Sequence, residues 1–191
     1  MLPPGHIAAG FLTAKALLYF SHTGLSQPQQ NQLLWWGAFF GFAPDLDTFY
    51  WFGKSKAFKI DPDQQNHRFF FTHAPVLWLI VGLAIYLIAG SPFWKTFGLL
   101  VWLCSWVHFL LDSIQYGVMW LWPAKKKVYC LLPVIEAEPV DGKIKEALKK
   151  NFFSYWITYI KEYSKGLIIT LICEFILVIS TIIIFFLSTK H

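Results

Sequence analysis

His108 and Asp112 stand four residues apart at the end of the apolar run Phe97 to Leu111 (FGLLVWLCSWVHFLL). Ionisable groups are expensive in such surroundings and rarely incidental. A helix brings residues i and i+4 onto one face, so an imidazole and a carboxylate there can converge on a common partner, above all a metal ion. The competing explanation is a core histidine tied to its own aspartate. Ser105, Gln115 and Tyr116 fall near the same face and would extend a polar stripe.

Three further motifs carry the same chemistry. Pro44-Asp45-Leu46-Asp47 offers two carboxylates at a helix end, one to face a metal and the other a partner behind the ligands. Asp45 is the preferred ligand and Asp47 the alternate; a solvated turn is the ordinary explanation of such a motif. The segment Asn66 to Pro75 (NHRFFFTHAP) supplies His67, Arg68 and His73, with Thr72 suited to cap the next helix and Pro75 to its first turn. His73 is preferred as ligand, with His67 as alternate. Arg68 suits bidentate grip of a phosphate or carboxylate, or a snorkelling place at the membrane surface. His6 has Gly10 one turn later, which leaves room for a second helix to approach closely. Glu174, inside LIITLICEFILVI, is the remaining acid in an apolar segment, and no second motif gives it a role beyond a structural one.

The elements that must position these residues are membrane helices. The chain has 191 residues, 56% hydrophobic and 19% aromatic, with a mean hydropathy of +0.48, too oily for an ordinary soluble domain. Phe69 to Ala89, Trp94 to Gln115 and Gly166 to Leu187 each approach the roughly 20 residues that cross a hydrocarbon core. Ile7 to Phe20 and Leu33 to Ala43 are shorter, and predict shallow, flank-extended or partly re-entrant helices. The expected fold is therefore an all-α, polytopic membrane bundle of about five helices, the two N-terminal ones short. It divides into residues 1–122, which carry the site, a basic aromatic segment 123–165, cytoplasmic or interfacial, and a C-terminal transmembrane helix 166–191, all in one domain. No basic leader precedes the first apolar run, so no cleaved signal peptide is expected. Cys104, Cys130 and Cys173 have neither zinc-finger nor redox spacing.

Five alternating helices would place Lys54, Lys56, Lys59, Arg68 and nine lysines from Lys125 to Lys165 on one side, and only Lys95 and Lys190 on the other. The positive-inside rule makes the first side cytoplasmic. The net charge of +5 then predicts contact with anionic lipid headgroups and no nucleic-acid partner. The same alternation brings His6, the PDLD turn, Thr72-His73 and His108 to Asp112 to that one cytoplasmic face. No Ser-His-Asp elbow, glycine-rich phosphate loop or HExxH is present.

In this order, an early His6 with Gly10, then PDLD, then an arginine-containing segment ending in Thr72-His73, then HFLLDSIQYGVMWLWP up to Pro123, the chain resembles the YdjM-type family of inner-membrane metal-dependent hydrolases. That family is in turn similar to zinc-dependent phospholipases C and single-strand nucleases. The resemblance implies His6, Asp45, His73, His108 and Asp112 as metal ligands, Asp112 able to bridge two ions, and zinc as the metal. Many members read HRGFTHS where this chain has HRFFFTHAP, which keeps His67 open beside His73. No match follows Asp112 for the residues that complete a three-zinc cluster, so one or two ions are expected. The expected function is a multi-pass inner-membrane hydrolase that activates water on a divalent metal and cleaves a phosphoester in a small-molecule or lipid substrate. His108 and Asp112 would be catalytic and Arg68 would bind substrate. The alternative is a non-catalytic membrane protein with a structural metal site, or a metal or proton transporter.

Overall fold

Proline sets where the helices begin. The computed structural model describes residues 2–22, 24–47, 70–114, 117–125, 127, 129–131, 157 and 168–188. Within them lie five helices: α1 (Pro3–Ser21), α2 (Gln27–Phe42), α3 (Pro75–Ile88), α4 (Pro92–Ser113) and α5 (Ile168–Ser188). The first four each carry proline at one of the first two positions, where its fixed φ is pre-formed for the helix and its missing N–H is not needed. Side chains complete two of these starts. Ser26 and Gln29 form a capping box on α2, and Ser91 Oγ accepts the N–H of Trp94 on α4. Apart from one antiparallel pairing, Val118 with Tyr129, the described secondary structure is helical.

The lengths differ from the sequence expectation in an ordered way. α1 and α2 recruit polar and proline flanks and reach 19 and 16 residues, longer than their apolar stretches. The short helix is α3, with 14 residues. A helix from Phe69 is precluded because the residue before proline avoids the helical region, and Ala74 is extended at φ −99°, ψ 111°. Phe71–His73 forms a separate 3-10 turn instead. Among the described residues, Pro92–Ser113 and Thr170–Leu187 are long and apolar enough to cross a membrane, whereas Pro75–Ile88 is apolar but shorter. The basic segment 123–165 lies largely outside the described residues, as do His67 and Arg68.

α1 packs on α2, α3 on α4, and α4 also lies against both α1 and α2. Phe11, Ala14, Leu33, Leu34, Ala38, Leu100 and Cys104 form the core between α1, α2 and α4. α5 runs beside α1, where the Thr181 hydroxyl donates to the Ala8 carbonyl at 3.3 Å and the rings of Phe185 and Phe11 meet edge to face. The faces of α5 turned away from α1 are apolar, with Phe175, Ile176 and Ile183 exposed.

The contact between α1 and α2 is backbone on backbone. A Cβ on Gly10 would lie 2.2 Å from the Gly37 carbonyl oxygen, and one on Gly41 would lie 2.3 Å from the carbonyl oxygen of His6. Gly10→Val should therefore force α1 and α2 apart and cost about 1–3 kcal/mol, the usual range for overpacking. Gly90→Ala, where a Cβ meets nothing within 4 Å, should leave stability unchanged. Thermal unfolding of the two variants in detergent checks this, and equal melting temperatures would show that the approach is not tight.

Candidate metal centre

Four chain segments end at one place. The first turn of α1 supplies His6, and a 3-10 turn, Ala43–Leu46, supplies Asp45 where Pro44 follows the end of α2. The turn Phe71–His73 supplies His73, and the last two turns of α4 supply His108 and Asp112. Each support is anchored separately. Trp78 Nε1 donates to the Thr72 carbonyl at 2.7 Å and Trp106 Nε1 to the Pro75 carbonyl at 2.9 Å, which fixes the turn bearing His73 against α3 and α4. The end of α4 is closed by Gly117, at φ 87°, whose N–H donates to the Asp112 carbonyl at 2.8 Å. The Trp120 indole adds a bond to Ser113 Oγ at 2.8 Å.

The nitrogens and oxygens face one another at distances suited to sharing an ion. His73 Nε2 is 3.3 Å from Asp45 Oδ1, and His108 Nε2 is 3.6 Å from the same oxygen and 3.7 Å from Asp112 Oδ2. His6 Nε2 lies 3.3 Å from Asp112 Oδ1 and 3.9 Å from Asp45 Oδ2. The ring of His6 stacks on that of His108 with centroids 3.9 Å apart. Ligand atoms of Asp45, His73, His108 and Asp112 all fall within 4.8 Å of one another. Two ligands of a tetrahedral zinc, each about 2.0–2.1 Å from it, stand about 3.3 Å apart, so this donor set fits an ion at its centre with small adjustments. His108 Nε2, fully buried, closes no hydrogen bond in the protein, which is an unfavourable state for a polar atom unless something else takes its lone pair or proton.

Behind the imidazoles the protein fixes the other nitrogen. His73 Nδ1 faces Asp47 Oδ2 at 3.1 Å, and that oxygen also accepts the Thr72 hydroxyl at 2.9 Å. Asp47 thus lies behind His73, and Thr72 serves it, whereas α3 starts at Ala74 with no side-chain cap. His108 Nδ1 faces the Gly41 carbonyl at 2.9 Å. Sequence reasoning had no signal for that contact, because it joins a carbonyl in the last turn of α2 to a side chain on α4. Ser105 is buried and donates to the Phe40 carbonyl at 3.3 Å, while Gln115 and Tyr116 lie outside the described residues. Side-chain exposure is 0–3% for His6, His73, His108 and Asp112 and 15% for Asp45, so the cluster opens at Asp45. Leu46, Phe71 and Leu110, on the elements that carry it, are exposed apolar side chains.

Residues 1–188 match the YdjM inner membrane protein family. The chain belongs to that family. It is accordingly a membrane protein of the inner-membrane type, with a buried group of acids and histidines able to hold a metal ion. No curated protein and no solved structure matches it.

Burial works against the charge of Asp45 and Asp112 adds repulsion, but the neighbouring His108, the hydrogen bond with His73 and His6 prevail and hold its carboxyl well below the usual carboxylate range. Burial likewise disfavours a charged His73, yet its bonds to Asp45 and Asp47 and their charges raise it from 6.5 to about 9. In the metal-free protein this raised value contributes stability that is full below pH 6.5 and lost as the pH climbs through about 9. Coordination through Nε2 must displace the proton there, so affinity for Co²⁺ should rise with pH, by up to about tenfold per unit, and level off above about 9. Chelator-competition titrations at several pH values check this. An affinity flat across that window would mean that His73 gives up no proton on binding.

Proposed function

We propose that this protein is a membrane-bound, metal-dependent hydrolase acting on phosphoesters, with a cytoplasm-facing site at the bilayer surface. The observation that supports it most is the meeting of three histidine Nε2 atoms with two carboxylates in one buried cluster that opens at Asp45. His6, Asp45, His73, His108 and Asp112 are the proposed ligands, and zinc suits this mixture of imidazole and carboxylate. A divalent ion held there supplies Lewis acidity, lowering the pKa of a water molecule toward about 7 and stabilising charge on a phosphoryl oxygen.

The chain's own residues do the rest. Asp47 and the Gly41 carbonyl keep His73 and His108 with Nδ1 engaged and Nε2 directed at the centre. Asp112, between His6 and His108, can receive a proton from the attacking water without leaving the cluster. Arg68, five residues before His73, is proposed on sequence position to grip the anionic group. The exposed Leu46, Phe71 and Leu110 suit the apolar part of an amphiphile arriving from the membrane side. The basic residues of the loops favour a multi-pass orientation with this end in the cytoplasm, against anionic headgroups.

Transport is the weaker reading. Transport would need polar groups continuing toward the far side, and the sequence offers few there. Purified protein loaded with Zn²⁺ should hydrolyse a phosphodiester or phospholipid, and His108→Ala and Asp112→Ala should lose more than about a hundredfold in rate while remaining folded. Asp47→Ala should lose about 10–100-fold in metal affinity. Tight metal binding with no turnover over phosphomonoester, phosphodiester and phospholipid substrates would leave a structural metal clamp as the function.

A further inference from the structure

Each histidine in the cluster turns Nε2 inward, so each must do something with Nδ1. His73 has Asp47 and His108 has the Gly41 carbonyl. His6, fully buried, closes no hydrogen bond at Nδ1. Glu174 on α5 is 6% exposed, and neither of its carboxylate oxygens closes a hydrogen bond. The two deficits are neighbours. A Cβ on Gly5, the residue before His6, would lie 2.7 Å from Glu174 Cγ and 2.9 Å from its Oε1. The carboxylate therefore rests on the first turn of α1, drawn by the backbone N–H groups of Leu2 and Gly5, though neither closes a full hydrogen bond, and within the electrostatic reach of His6.

An acid inside an apolar helix is costly to keep. Here it falls on the stripe of α5 that packs on α1, one turn after the buried Thr170 and two turns before Thr181, while the outward faces are apolar. A carboxyl group accepts a hydrogen bond whether ionised or protonated, and an imidazole that keeps Nε2 for coordination carries its proton on Nδ1. A single water bridging them would satisfy both groups.

We infer that Glu174 is the positioning residue of His6, accepting its Nδ1–H through one water and so directing Nε2 at the cluster, as Asp47 does for His73. The consequence for coordination rests on the metal-centre reading above; the tautomer of His6 does not. The test uses full-length protein in detergent, metal-free, with ¹⁵N-labelled histidine and the His6 signals assigned by their loss in His6→Gln. Wild type should show a proton on Nδ1, whether or not Nε2, 3.3 Å from Asp112 Oδ1, carries one as well. Glu174→Leu should shift His6 toward Nε2–H and weaken Zn²⁺ binding about 10–100-fold, whereas Glu174→Gln, whose carbonyl still accepts, should keep the tautomer and most of the affinity. Should Glu174→Leu fail to fold, Gly5→Ala, whose methyl group would displace the carboxylate, should give the same two changes. An unaltered His6 tautomer in whichever of these variants folds overturns the inference. Failure of wild type to bind Zn²⁺ sinks the metal centre instead, and the tautomer still decides the part played by Glu174.

Discussion

Three imidazoles and two carboxylates are held against one another with almost no water, and the rest of the molecule is arranged around that fact. Removing charge from water is costly, and the cost is recovered only if opposite charges, hydrogen bonds or a cation take the place of solvent. The cluster draws its members from four separated stretches of chain, so burying it ties α1, α2, the turn before α3, and α4 to one geometry. A helix that shifted by a residue would swing its side chain out of the cluster and leave the others exposed to one another's charge.

Close backbone approach makes that geometry reachable. Gly10 and Gly41 let α1 and α2 touch without intervening side chains, and the same contact brings the Gly41 carbonyl within reach of His108. Small residues at a helix interface therefore serve two ends here, packing and the orientation of an imidazole. The aromatic residues do comparable work on the other side. Trp78 and Trp106 donate to the carbonyls of Thr72 and Pro75, on either side of His73. Phe40 meets Trp36, Trp78 and Phe97, so α2, α3 and α4 are joined by rings.

Much of the site was legible before any coordinates. His108 and Asp112 stand out because apolar surroundings make an ionisable pair conspicuous, and PDLD and Thr72-His73 because they sit where apolar runs begin or end. Alternation of helices was enough to bring His6 to the same end as the rest. Other features were not legible. Hydrophobicity continues through Phe69 to Phe71, so the late start of α3 is visible only in the backbone restriction that Pro75 imposes on Ala74. The division of labour between Asp45 and Asp47 depends on which carboxylate faces His73 from the front and which from behind, and the two share a single turn. Glu174 had no second motif beside it, since its neighbours, Gly5 and His6, lie at the far end of the chain.

By itself the sequence determined the kind of molecule and the ingredients of the site: long apolar helices begun by prolines, and a small set of histidines and acids whose burial would have to be justified by mutual contact. Tertiary structure decided which nitrogen of each imidazole faces inward, which aspartate stands behind a histidine, and that α5 brings its one acid to the start of α1. The physical reason is one of range. Periodicity and turn chemistry act over a few residues and are written locally, whereas the pairing of buried polar groups is a distance between segments that only packing can set.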